Sequence, residues 1–281
     1  MKTAKEILRI LFRQYLTSIA TLIIIAAVLC AIGANILAPF AQGKMHLDDS
    51  LLPPLSKNFF FGTADNGLDI LSEIIYGSRV SLLVGILVTF ISSVLGIIIG
   101  LMSGYSSSWL DMIIMRTIDI LLAFPGILLA IGFTGIFGPS LFNLVFALSL
   151  TSWISYARIV RSQTLKLKQM DFIVAARSIG ATPLRIIMHH IFPNLLGPLL
   201  VQITFGLASA ILSEAALSFL GLGVPTGTAS WGSMLDEGCY YILVAPHLAV
   251  FPGICIALLV LSFNIIGDEL RDYFDPKQQQ L

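Results

Sequence analysis

Asp119 and Glu214 are acidic residues set within long apolar runs. A carboxylate in such a setting faces a protein interior or a water-filled path, where it can gate a passage or hold a cation. Asp119 also follows Arg116 by three residues, and residues so spaced are neighbours on one helix face, so a paired charge near a membrane surface accounts for it as well. Glu214 lies 19 residues beyond Leu195, which is ~28 Å along a helix. That places it near the end of its apolar run, where a structural hydrogen bond to the following loop and a gate role stand level. His189 and His190 invite a metal, but adjacent helical side chains diverge by ~100° and ligand pairs prefer i, i+4. The pair is expected to face a protein partner or lipid headgroups. Cys30, Cys239 and Cys255 are too few and too scattered for a disulfide framework or a metal knuckle. Nucleophile and protease patterns fail too: His-Glu-x-x-His is missing, and Ile265-Ile266-Gly267-Asp268 lacks the first glycine of an intramembrane Gly-x-Gly-Asp site. Gly43-Lys44 has Ala38 where a phosphate-binding loop wants glycine and Met45 where it wants Ser or Thr. No catalytic residue and no metal ligand are assigned, so any energy must come from a partner or an ion gradient.

The elements that position these residues are membrane spans. Of 281 residues, 57% are hydrophobic and 11% charged, where soluble domains carry about 25% charged. Mean hydropathy is +0.92 and net charge zero, so nothing attracts the chain to nucleic acid. A bilayer core ~30 Å thick needs ~20 apolar residues per helix. Six runs qualify or nearly so: 16–37, 80–103, 113–137, 141–159, 195–220 and 248–266. The fold class is therefore all-α, a polytopic membrane protein with six transmembrane helices. The first run exceeds the ~7–15 residues of a signal core, so it is read as a retained span. With the N-terminus inside, thirteen Lys and Arg fall inside and three (Lys44, Lys57, Arg79) outside, which places both termini in the cytosol.

The chain then divides into a cytosolic N-terminal segment (1–15), a first span (16–38), an extracytoplasmic loop (39–79), a five-helix core (80–266) and a cytosolic tail (267–281). In the first loop, Leu68, Leu71 and Ile75 recur as one helical face, expected to lie flat on the outer membrane surface or the protein rim. An outer loop at 221–247 offers Trp231, Tyr240 and Tyr241 to the membrane interface. Gly96, Gly100 and Gly104 recur every four residues and allow close helix approach. Pro125-Gly126, Gly132, Gly135 and Gly138 loosen the third span. Gln278-Gln279-Gln280 reads as a disordered end.

The inner loop, 160–194, is the most informative part. Asp171 is placed to cap a helix starting at Phe172, Gly180 to end it by adopting positive φ, and Thr182-Pro183 to start another. Two short helices with a corner at Gly180-Ala181 make a cytosolic elbow. This stretch resembles the EAA loop of ATP-binding-cassette importer permeases: Glu-Ala-Ala, a glycine four residues on, and a later Ile and Pro. The matches are Ala175, Ala176, Gly180, Ile191 and Pro193, with Val174 where that family has glutamate.

Three more segments resemble the dipeptide, oligopeptide and nickel branch of these permeases. They are Phe61-Gly62-Thr63-Ala64-Asp65-Asn66-Gly67-Leu68-Asp69 (departing at Ala64 and Leu68), 214–223 followed by Trp231-Gly232, and 263–272. The resemblance implies a prokaryotic inner-membrane permease, paired with a second, non-identical permease. It also implies two ATPase subunits carrying ATP and Mg, and an extracytoplasmic substrate-binding protein delivering peptides or nickel and metal chelates. It makes Val174, Ala175, Ala176, Gly180, Ile191 and Pro193 the ATPase-coupling residues, while Asp119 and Glu214 are candidates for the pathway or gate by their own setting. The alternative is a self-sufficient secondary transporter or channel, a class that favours inverted repeats; no repeat is evident.

Overall fold

The computed structural model describes residues 14–225 and 227–274. Lys2, Lys5, Arg9, Arg13, Lys277 and the glutamine tail, which entered the orientation count or the reading of the ends, lie outside the described residues.

Five helices are long and apolar enough to cross a membrane. They are α1 (Tyr15–Leu37), α2 (Ile70–Tyr105), α5 (Leu141–Leu167), α8 (Phe192–Phe219, with the turns before it) and α10 (His247–Phe274). The third expected span is a bent pair, α3 (Ser108–Leu122) and α4 (Gly126–Phe137), whose axes turn by 74°. Pro125 is the cause. It has no N–H to continue α3, and it starts α4 in extended conformation instead (φ −58°, ψ 123°). Six crossings result when the bent pair is counted as one. Three short helices complete the set: α6 (Asp171–Ser178), α7 (Pro183–Ile186) and α9 (Trp231–Tyr240).

Residues 68–75 do not form a separate surface helix. Asp69 caps α2 by accepting from Ser72 N (2.9 Å) and Ser72 Oγ (2.6 Å), and the helix runs unbroken from Ile70. Its 36 residues span ~54 Å, well beyond a ~30 Å hydrocarbon core. The expected apolar face packs within the protein: Leu68 lies against the cluster of Ile70, Ile74, Ala245 and Leu248, and Leu71 and Ile75 lie against Ala34, Ala38 and Ala229. Trp231 likewise leaves the interface. It is 3% exposed, and its indole N–H donates to the Ile74 carbonyl (2.9 Å).

The core forms where α2 and α5 lie side by side, with α8 and α10 packed behind. Gly96, Gly100 and Gly104 form the seam: each abuts α5, against Tyr156 and Trp153, Ala157 and Val160, and Thr164 in turn. Small residues at this spacing bring the backbones close, which is how helices gain dispersion contact in lipid. α1 sits on the outside with Leu22, Leu29, Ile32 and Ile36 exposed. Arg79 of α2 holds it, donating to the Ala31 carbonyl (2.6 Å) and to Asn35 Oδ1 (3.0 Å).

Candidate functional site

The elbow folds by local rules. α6 ends at Ser178, and Gly180 takes φ 84°. Gly180 N–H then donates to the Arg177 carbonyl (3.0 Å) and Ala181 N–H to the Ala176 carbonyl (3.1 Å), the paired bonds of a Schellman motif. Asp171 is not the cap. It is the first helical residue and Met170 takes the cap position, so the carboxylate acts on the helix dipole rather than on a free N–H. Thr182 does hold the cap position of α7, with Pro183 first in the helix, but its hydroxyl makes no capping bond.

The second arm does not stop at Pro193. Helix runs continuously from Pro183 to Phe219 through a π turn at Ile187–Ile191. A proline ring collides with the carbonyl four residues back. The wider turn relieves that collision, with Phe192 N–H reaching back five residues to the Ile187 carbonyl. Asn194 Nδ2 donates to the His190 carbonyl (2.6 Å). The second arm of the elbow is therefore one continuous helix with α8.

The six expected coupling residues separate into two faces. Ala176 (8% exposed) and Ile191 (0%) point into the protein, with Ile173 and Ile186, against Val160 of α5 and Leu195 and Leu199 of α8. Ile97, Leu101 and Tyr105 of α2 pack on the same cluster. Val174, Ala175 and Pro193 are exposed, as is Gly180. The two arms carry further exposed apolar side chains outside the motif: Phe172, Ile179, Leu184 and Met188. Alternating burial along α6 at helical period was the available signal, with Ile173 and Ala176 on one side and Phe172 and Val174 on the other. His190 stacks obliquely near Phe172, with ring centroids 6.4 Å apart.

Charges brace the elbow from behind. Arg161 of α5 grips Asp111 of α3 through Nε (2.5 Å) and Nη2 (2.6 Å), and Ser103 of α2 also donates to Asp111. Lys168 donates to the Gly104 (3.4 Å) and Tyr105 (3.1 Å) carbonyls, neutralising the C-terminal end of α2. Nothing in the sequence marks Asp111 and Arg161 as partners, because residues 50 apart show no local pattern.

Asp119 pairs with Arg158 of α5 at 2.9 Å, not with Arg116 as its helix spacing suggested. Both side chains are about half exposed, so the pair is worth ~1 kcal/mol at most. Glu214 is fully buried between α8 and α2. Its carboxylate accepts from Ser81 Oγ (2.9 Å) and Ser218 Oγ (2.8 Å). Neither Asp119 nor Glu214 lines either of the two cavities described below.

Two cavities open off the helices. One of about 480 Å3 lies at the end opposite the elbow, lined by Glu73, Asp236 and Glu237 among apolar residues of 218–229. Burial, then the charges of Asp65, Glu73 and Asp236, push the Glu237 carboxyl up. The other, about 220 Å3, lies midway along α2, α5 and α8. Among the described residues, no group of three or more His, Cys, Asp or Glu is placed to hold a metal ion.

Glu214 gives a clear test of packing. Glu214→Ala removes the acceptor of two buried hydroxyls and opens a void, an expected loss of ~2–4 kcal/mol. Glu214→Gln keeps the shape and one acceptor and should cost about half of that. Thermal unfolding of the purified protein in detergent measures both, and equal losses would contradict the hydrogen-bond account.

The fold is a long array of membrane-length helices with an elbow packed against three of them. Residues 96–280 match the family described as binding-protein-dependent transport system inner membrane component. The chain belongs to that family, and it is a permease subunit of an ATP-binding-cassette importer in the inner membrane. It is 42% identical over 275 residues to the dipeptide transport system permease protein DppC of Alkalihalophilus pseudofirmus, covering 98% of this chain and 90% of that one. It is 41% identical over 265 residues to the glutathione transport system permease protein GsiD of Escherichia coli O157:H7, covering 94% and 88%. Among solved structures, a chain of the inward-facing MetNI methionine ABC transporter superposes with TM-score 0.60 at 19% identity. The match covers 72% of this chain and 96% of that one, a likeness of fold.

Proposed function

We propose that this chain is one half of a two-permease channel that imports short peptides, and that its elbow receives the work of ATP hydrolysis. The carrying observation is the division of the elbow into two faces. Ala176, Ile173 and Ile191 bind it to the ends of α2, α5 and α8, while Phe172, Val174, Ile179, Leu184 and Met188 present an apolar surface outward. Exposed apolar side chains on both arms, with Arg177 and Arg185 exposed among them in the chain, suit a protein groove rather than water. Two ATPase subunits, carrying ATP and Mg, fit below, and a substrate-binding protein fits on the opposite face. On this reading both termini and the elbow are cytosolic.

Val174 replaces the glutamate common in such loops, so apolar contact supplies the docking here. A second, non-identical permease would cover the apolar faces of α3 and α4, where Ile120, Leu128, Ile136 and Phe137 are exposed. Peptide is the favoured cargo because the relatives above are named for dipeptide and for glutathione, itself a tripeptide. Nickel or a metal chelate is the second reading of that branch, with no metal-holding cluster in the described residues to favour it.

Cross-linking tests this. A cysteine introduced by Val174→Cys, in inner membranes, should form a covalent adduct with an ATP-hydrolysing subunit, and one introduced by Tyr240→Cys should not. Tyr240 is 79% exposed on the far face. An adduct from the Tyr240 position alone would reverse the orientation and defeat the reading.

A further inference from the structure

The three helices anchored beneath the elbow, α2, α5 and α8, part near their midpoints around the cavity of about 220 Å3. Its wall carries no charge, and polar groups are set among Val88, Phe205, Gly206 and Ala210. Thr89 and Ser92 come from α2, Tyr156 and two serines from α5, and Gln202 and Ser209 from α8. Ser92 Oγ is buried with no hydrogen-bond partner among the described residues, and the buried Thr89 Oγ1 and Tyr156 OH lie close to each other with no other partner there. Other hydroxyls on these helices return their protons to their own helix: Ser93 to the Phe90 carbonyl, Ser152 to Leu148 and Thr164 to Val160. That is the usual refuge of Ser and Thr in an apolar helix, and Thr89 and Ser92 do not take it. Gly206 makes the space, since a Cβ there would stand 1.8 Å from Tyr156 OH. Ser155 and Ser209 are exposed at the mouth, so the cavity opens sideways from the helix bundle.

We propose that this cavity is a substrate-contact site within the membrane, taking the backbone of a short peptide through the Ser92, Thr89 and Tyr156 hydroxyls and the Gln202 carboxamide. This rests on the importer-permease reading. The chemistry selects the ligand. Peptide carbonyls can accept from the hydroxyls of Thr89, Ser92 and Tyr156. Peptide N–H groups can donate to those same oxygens or to the carboxamide oxygen. Neutral groups bind any side-chain charge alike, whereas a buried carboxylate or ammonium would favour one class of cargo and reject another. They also bind weakly enough to release, as a conducting path requires. Because α2, α5 and α8 all meet the elbow, a movement there would change the width of this cavity directly.

The experiment uses the complete complex in proteoliposomes, with Cys30, Cys239 and Cys255 replaced by alanine. Single variants Ser92→Cys and Ser209→Cys are treated with a charged, membrane-impermeant thiol reagent, with and without a non-hydrolysable ATP analogue. Trialanine, presented by the binding protein, is the probe. Labelling is expected in one nucleotide state, and trialanine at about ten times its dissociation constant should slow it about tenfold. Tyr156→Phe, which keeps the ring and removes one hydroxyl, should weaken that protection several-fold while leaving labelling without peptide unchanged. Absence of labelling in both states would overturn the site as a sealed void. Labelling that trialanine never slows would overturn it as a water pocket. Labelling blocked by peptide but indifferent to nucleotide would keep the site and count against ATP-driven transport instead.

Discussion

Ala176→Glu is expected to abolish uptake while leaving the partner ATPases able to hydrolyse ATP. Ala176 sits in the cluster formed by Val160, Ile173, Ile186, Ile191 and Leu195, and no cation among those side chains could pair with a carboxylate. An uncompensated charge buried there costs at least ~3 kcal/mol. At 1.4 kcal/mol per factor of ten, about 100-fold fewer molecules keep the elbow docked on α2, α5 and α8.

Val174→Glu, two residues away, separates anchoring from docking. Its side chain is half exposed and turned outward, so thermal stability should stay within ~0.5 kcal/mol of the parent. A change in uptake there reports contact with the ATPase alone, and the new glutamate restores the residue common in the family. Gly180→Ala should lie between these extremes. Nothing stands within 4 Å of its absent Cβ, so only the φ of 84° opposes it, a strain of ~1–2 kcal/mol. Uptake into vesicles, paired with ATP turnover and a melting curve, distinguishes all three. Full transport by the Ala176 variant would remove the elbow from the mechanism.

The second large effect belongs to the α2–α5 seam. A Cβ at Gly96 would lie 2.3 Å from Tyr156 Cβ, 2.8 Å from the Trp153 carbonyl oxygen and 2.9 Å from Ala157 N. Two of those three atoms are backbone, so no rotamer change can relieve the collision. The helices must separate along their whole contact, losing dispersion energy at Gly100 and Gly104 as well. Gly96→Ala should therefore cost ~3 kcal/mol or more, the upper end of overpacking penalties, and sharply reduce the yield of folded protein. Gly135→Ala is the matched control. It lies in α4 with nothing within 4 Å, and alanine there gains ~0.5–1 kcal/mol of helix propensity. Detergent-solubilised yield and unfolding temperature give the comparison. Similar outcomes for the two glycines would show that the seam is not closely packed.

The six spans, the glycine seam and the bend at Gly180 could all be read from the residues alone. Each rests on a rule that acts over neighbouring positions: apolar length against bilayer thickness, small residues every fourth place, and positive φ for glycine. What required the tertiary structure was the identity of partners. Asp119 met Arg158 rather than Arg116, and Asp111 met Arg161 across 50 residues. Trp231 turned inward onto Ile74, and residues 70–75 became the first turns of α2 rather than a separate helix on the membrane surface or the protein rim. The elbow shows the boundary most plainly. Local chemistry drew its two arms, but only packing against α2, α5 and α8 decided that Ala176 faces inward and Val174 outward. A helix repeats its own geometry whatever surrounds it. Which of its sides is covered depends on helices far away in the chain, and neighbouring residues carry no record of them.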